Sequence, residues 1–207
     1  DDGLLLSADR TPNLRGALAT GFYKKYPADN LKTLGGQLRR GDLKTLLVVN
    51  EDVLSLGVTK EQLKKVKVIY LGTHENEVSK AADVVLPGLT VFEKSGTFIN
   101  RNFRLQKFLQ AVPGPAGLLP DYLLLNRMVN EVSGETAGSL GLGALWDEIG
   151  KLRASCLTGI AFHGVPPEGL ALNPGKLADF PYVEGKALNF TPQKRRVAKR
   201  KPAAAKA

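Results

Sequence analysis

Residues 44–87 hold three apolar runs, each closed by a polar turn and separated from the next by a short capped segment. The runs are KTLLVVN (Lys44–Asn50), VKVIYLG (Val66–Gly72) and DVVLP (Asp83–Pro87). They are continuously apolar rather than alternating, as expected of parallel strands covered on both faces. Between them, Thr59 and Gln62 have the spacing of a capping box, and Asn76 can cap the helix EVSKAA. Strand, helix, strand, helix, strand is a βαβαβ unit with right-handed crossovers. The expected fold is therefore α/β, built on a partial doubly wound parallel sheet. Ligands of such sheets sit beyond the carboxyl ends of the strands. Here those ends are Asn50-Glu51, Gly72-Thr73-His74 and Pro87-Gly88. No G-x-G-x-x-G or Walker loop follows any of the strands.

The flanks are less regular. Pro12, Gly16, Gly21 and Pro27 predict an irregular segment over residues 1–30, and Asn30 caps a helix through about Arg40. After Pro87, TFINRNFRLQKF predicts one or two short strands bent near Asn102, and Pro113 to Pro120 form a linker. A two-helix unit follows. Its first helix, from Asp121 to Gly134, has an apolar stripe of Tyr122, Leu125, Met128, Val129 and Val132. The second, SLGLGALWDEIGKLRAS, places Leu142, Leu145, Ile149 and Leu152 on one face, with Trp146 as a packing anchor or subunit contact. Residues 155–193 are Gly/Pro-rich and predict an irregular wrap held by Phe162, Phe180, Tyr182 and Phe190. These divisions give an α/β segment at 1–112, a helical and irregular region at 113–193, and a basic tail at 194–207.

Charge and cysteine usage narrow the function classes. The net charge of +9 invites a nucleic-acid reading, but residues 194–206 carry seven of those charges and no acid. The basicity belongs to an Ala/Lys/Pro tail, expected to be disordered and able to touch acidic surfaces. The single cysteine, Cys156, rules out an intrachain disulfide or a cysteine-ligated cluster built by these residues alone. Cys156 reads as a small, partly buried apolar residue. His74 and His163 have no Cys or His at metal-ligand spacing. His74 with Glu75 and Glu77 could act as an acid/base set or be a plain surface loop. Glu51-Asp52 could meet a ribose hydroxyl or simply begin a helix. No apolar window is long enough to span a membrane, and no charged-then-apolar leader opens the sequence. The only methionine is Met128, so the chain reads as part of something longer.

The combination ADVVLPG (Ala82–Gly88), Glu93-Lys94, Gly96-Thr97-Phe98, Asn100, Arg104 and Gln106 resembles the molybdopterin oxidoreductase superfamily. Within it, the pattern is most similar to the large iron–sulfur (G) subunit family of the respiratory NADH:quinone oxidoreductase, complex I. PNLRGALATG (Pro12–Gly21) resembles the superfamily's upstream Asn-x-x-Gly-Ala segment. The resemblance spans roughly residues 10–155.

In the molybdenum enzymes the equivalent region helps hold a pterin guanine dinucleotide. The resemblance thus implies Gly96, Thr97, Asn100, Arg101, Arg104 and Gln106 as a vestigial nucleotide site. Gly96 would admit backbone close to the ligand, Thr97 and Asn100 would offer hydrogen bonds, and the two arginines would pair with a pyrophosphate. One departure stands inside the motif: Phe103 occupies the position of a family glycine. The resemblance implies a structural C-terminal portion of the complex I subunit. It would support NADH-to-quinone electron transfer on the cytoplasmic side of the bacterial inner membrane with no redox centre of its own. Its expected partners are the N-terminal part of the same subunit, which would carry the iron–sulfur clusters, and other peripheral-arm subunits. The alternative is a molybdopterin-binding segment of a formate dehydrogenase-like enzyme.

Overall fold

The computed structural model describes residues 13–22, 30–134, 141–152 and 155–179. Phe180, Tyr182, Phe190 and the basic tail lie outside the described residues.

The βαβαβ unit is present. β1 (Thr45–Val49), β2 (Lys67–Gly72) and β3 (Val84–Pro87) form a parallel sheet in the order β1-β2-β3. The helix preceding β1 runs over Asn30–Arg40 and is α2; α3 (Lys60–Leu63) and α4 (Glu77–Ala81) are the two crossovers. Both crossovers start where the side chains can satisfy free backbone N–H groups. Thr59 Oγ1 accepts from Gln62 N while Thr59 N donates to Gln62 Oε1, a reciprocal capping box. Asn76 and Ser79 form the same arrangement at α4. Gln62 Nε2 also donates to Gly35 O, which ties α3 to α2 at the glycine pair. At the start of β3, Asp83 Oδ2 accepts from Val68 N at 2.8 Å and fixes the register with β2.

One face of this sheet supplies the first core: Val48, Val68 and Tyr70 pack with Leu38, Leu63 and Val78 from the helices. The expectation of burial on both faces is corrected here. On the other face Leu71 is fully buried, but Leu47, Val49 and Val84 are 40%, 40% and 46% exposed, and Val85 on the helix side is 51% exposed at the β3 edge. A continuous apolar run shows that both faces are apolar; it does not show that this chain provides both covers.

A second sheet follows. β4 (Gly96–Ile99) and β5 (Arg104–Phe108) make an antiparallel hairpin, and β6 (Leu170–Ala171) pairs with β5. α5 (Asp121–Ser133) ends at Gly134 in the left-handed conformation, as its sequence suggested. Its predicted stripe is half-buried at Tyr122, Leu125 and Met128 and open at Val129 and Val132, which are 62% and 90% exposed. α6 (Leu142–Gly150) buries Trp146. The second core gathers Ala19, Ile99, Phe103, Leu105, Trp146, Leu157, Phe162 and Val165. Ala19 belongs to α1 (Leu14–Ala19), a short helix inside the segment expected to be irregular. Its local propensity is interrupted by Gly16, and tertiary contact with the hairpin holds it.

Candidate functional site

The hairpin turn is built by Asn100. Its Oδ1 accepts from Asn102 N at 2.9 Å and Arg104 N at 3.0 Å. Phe103 N donates to Asn100 O, and Asn100 N donates to Arg104 O. This is a tight turn closed by one residue in the left-handed region, the usual bulged form of a short hairpin. That residue is Phe103, with φ 54°. The backbone shape is therefore the one a glycine would adopt, although the side chain is Phe. Phe103 is 7% exposed, its ring lies in the second core, and the Arg15 guanidinium sits 5.3 Å from the ring centroid. Core burial offsets the strain of a side chain held in the left-handed region.

The six residues implied as a nucleotide site fall on this hairpin but not in one pocket. Gly96 faces Phe108 across the strands, and a Cβ there would lie 2.7 Å from the Phe108 ring. The close approach at Gly96 is thus made by Phe108, which stacks on Phe98 at 5.1 Å. Thr97 lines a cavity of about 120 Å³ with Asn13, Thr20, Trp146 and Ile149. Drug-sized ligands occupy about 300–1,000 Å³, so this space is too small for a dinucleotide. Arg104 Nη1 donates to Glu168 O and Gly169 O, clamping β5 to the β6 approach. Arg101 and Gln106 are exposed.

Two further parts of the motif are also used internally. Glu93 Oε2 accepts from Thr90 N and Thr90 Oγ1, and these bonds hold its carboxyl below the usual range. Lys94 pairs with Asp121 at the start of α5, with both side chains mostly buried.

Sequence reasoning missed Asn13 as a positioning residue. It has φ 62°, and its Oδ1 accepts from Ile99 N of β4 at 2.9 Å across 86 residues. A Cβ at Gly16 would lie 2.2 Å from Asn13 Oδ1, so the Asn-x-x-Gly spacing is what lets that side chain fold back. The two quoted parts of the motif therefore meet in space.

At the carboxyl ends of the parallel strands, Asn50 has φ 52° and its Oδ1 accepts from Thr73 N at 3.2 Å. Thr73 Oγ1 is hydrogen-bonded to His74 Nδ1 at 2.8 Å, and Gly88 N donates to Gly72 O. The suggested His74, Glu75 and Glu77 set is not assembled. Glu77 instead takes Lys60 at 2.8 Å and Lys80 at 3.1 Å, which pull its pKa down to about 2. Glu51 and Asp52 close their own turn: Asp52 N donates to Glu51, and Leu54 N and Ser55 N donate to Asp52 Oδ1.

Cys156 lines the larger cavity, about 750 Å³, between the end of α1 and residues 173–177. Burial raises its thiol pKa. None of the six implied residues lines that cavity. Among the described residues there is no cluster of three metal-ligating side chains, and no helix is long and apolar enough to cross a membrane.

The parallel sheet and the hairpin fall inside the stretch that matches a known family. Residues 19–131, more than half of the chain, match the family model described as molybdopterin oxidoreductase. An F420-dependent formate dehydrogenase 2 subunit alpha from Methanococcus maripaludis is 34% identical over 95 residues, 45% of this chain and 14% of that protein. The formate dehydrogenase 1 subunit alpha of the same organism is 30% identical over 95 residues, again 45% and 14%. The mitochondrial NADH-ubiquinone oxidoreductase 78 kDa subunit of Neurospora crassa is 33% identical over 86 residues, 42% of this chain and 10% of that subunit. The match thus spans only a small fraction of each curated relative's length.

Proposed function

Because this chain belongs to the molybdopterin oxidoreductase family, we propose that it is a scaffold portion of a NADH:quinone oxidoreductase large subunit. It packs against the rest of that subunit in the peripheral arm and supports electron carriers bound elsewhere. The observation that carries this reading is the internal use of the motif's polar groups. Asn100 closes its own turn, Arg104 holds Glu168 and Gly169, Glu93 binds Thr90, and Phe108 covers Gly96. With these groups so engaged, the hairpin favours a structural use over a pterin pyrophosphate site. The similarity to the Neurospora crassa 78 kDa subunit supports the choice of complex. Such a portion would sit on the cytoplasmic side of a bacterial inner membrane.

The formate dehydrogenase relatives, one at 34% identity, favour the second reading, a segment that contacts a pterin dinucleotide. Equilibrium binding of guanosine diphosphate, the nucleotide half of that cofactor, separates the two. The expected result is no saturable binding by the native chain or by Phe103→Gly. Saturable binding that is lost in Arg104→Ala would replace the scaffold reading with the enzyme reading.

A further inference from the structure

One face of the β4-β5 hairpin carries an aromatic pair outside the core. Successive residues on a strand alternate between faces. Ile99 and Leu105 therefore enter the second core, while Gly96, Phe98, Gln106 and Phe108 share the other face. Gly96 has no side chain, so the Phe108 ring lies across it and stacks on Phe98 with 23° between the ring planes. Phe98 stays 40% exposed, and Gln106, its register partner, is exposed beside it. Arg101 is exposed at the hairpin tip. An aromatic pair on an antiparallel sheet, bordered by an amide and a guanidinium, is a platform on which an unpaired base can stack. Every base has a π-face, so such stacking tolerates sequence.

Charge supplies what the platform lacks. Residues 194–206 carry seven cations and no acid, whereas the rest of the chain is nearly balanced. Six of the seven form two triplets, Lys194-Arg195-Arg196 and Lys199-Arg200-Lys201. Cations so placed bind a phosphate backbone by releasing its counterions. Residues 180–193 separate this arm from Asp179, the last described residue, and at about 3.3–3.6 Å each they span up to about 50 Å. The hairpin and β6 together are only about 10 Å across, so the arm can reach phosphates on either side of a base held at Phe98. An anionic bilayer would engage the arm but offers no planar group to Phe98, and the bases of a duplex are already stacked on one another. We infer that the chain binds single-stranded nucleic acid, with phosphates held by residues 194–206 and an unstacked base laid on Phe98. This binding is additional to the scaffold role and does not depend on it.

The test is a fluorescence-anisotropy titration of the full-length gene product with labelled oligo(dT) and oligo(rU) of about 16 nucleotides. Saturable binding of either strand is expected, and their relative affinities tell DNA from RNA. If all seven cations meet phosphates, the slope of log K against log salt is about −5. Affinity then falls about 10³-fold between about 50 and 200 mM salt. Deleting residues 194–207 should remove that slope. Phe98→Ala should instead weaken binding by about 5- to 100-fold at every salt concentration and leave the slope unchanged. Phe98→Leu keeps an apolar cover over Phe108 and should lose as much, so the test stands even where the alanine variant unfolds. Phe98→Trp should bind at least as tightly as the native protein. A duplex of the same length should be insensitive to Phe98→Ala. No binding of either strand at about 50 mM salt would overturn the inference. So would native affinity in Phe98→Leu, which would reduce the interaction to a polycation meeting any polyanion. Binding to phosphatidylglycerol vesicles with neither strand retained would assign the arm to a bilayer and overturn it as well.

Discussion

Phe103 offers a test in which the usual order of two substitutions reverses. At most positions glycine is worse than alanine by about 0.5–1 kcal/mol, because glycine loses more backbone freedom on folding. Phe103 sits at φ 54° with its ring 7% exposed in the second core. Phe103→Ala should cost about 3–5 kcal/mol through lost packing. It also keeps a Cβ in the left-handed region, where a side chain costs about 1–2 kcal/mol. Phe103→Gly loses the same ring and the same Arg15 contact but releases that strain. Setting the released strain against glycine's entropy leaves the glycine variant more stable than the alanine variant by about 0.5–1 kcal/mol. With a urea slope of about 1–3 kcal/mol/M, this separates the midpoints by about half a molar unit. Trp146 is the only tryptophan, is 4% exposed and belongs to the same core, so its fluorescence reports the transition directly. An alanine variant as stable as the glycine variant, or more so, would refute the strained-turn argument.

Gly96→Val should destabilise by about 1–3 kcal/mol in urea, because its Cβ would meet the Phe108 ring. Adding Phe108→Ala should make the valine nearly neutral, and a double-mutant cycle showing no coupling would contradict the contact. Asn13→Ala should cost about 1–3 kcal/mol by leaving Ile99 N without its acceptor, read in the same assay; an unchanged midpoint would remove Asn13 as a positioning residue. Glu77 has a folded pKa of about 2 against an ordinary 4.5, so its stabilising contribution is present above 4.5 and is lost as pH falls toward 2. Glu77→Gln should flatten that part of the acid-denaturation profile by a small amount, since the pair with Lys60 is exposed on both sides. A profile identical to the native one would show that the pair contributes nothing.

The elements most legible in the sequence were those whose ends are set locally. Thr59 with Gln62 and Asn76 with Ser79 each place a side-chain acceptor three residues before a free N–H, and both caps formed. The same locality explains α5 ending at Gly134. Burial was less legible. The alternation that would mark an exposed face is absent from LLVV in β1, because this face too is apolar, yet the described chain leaves Leu47 and Val49 uncovered. Helix α1 was missed for the converse reason. Its residues are poor evidence of a helix alone, and what fixes it is Asn13 reaching Ile99 and Ala19 O accepting from Ser155 Oγ.

Under the proposed scaffold reading, the hairpin keeps the motif's backbone while its groups serve the fold. A glycine in the left-handed region and a phenylalanine in the left-handed region draw the same backbone, so Asn100 and Arg104 keep their places. What changes is where the turn gets its stability. Glycine needs nothing beneath it, whereas Phe103 needs Ile99, Leu105, Trp146 and Leu157 packed around its ring. The turn is then tied to a core that α1, α6 and the segment after it build together, and it can no longer move independently of them. A residue pattern read along the chain cannot distinguish a turn held open for a ligand from one fastened to its own core. The positive φ at a buried aromatic residue favours the second, because the strain at Phe103 is offset by its own core.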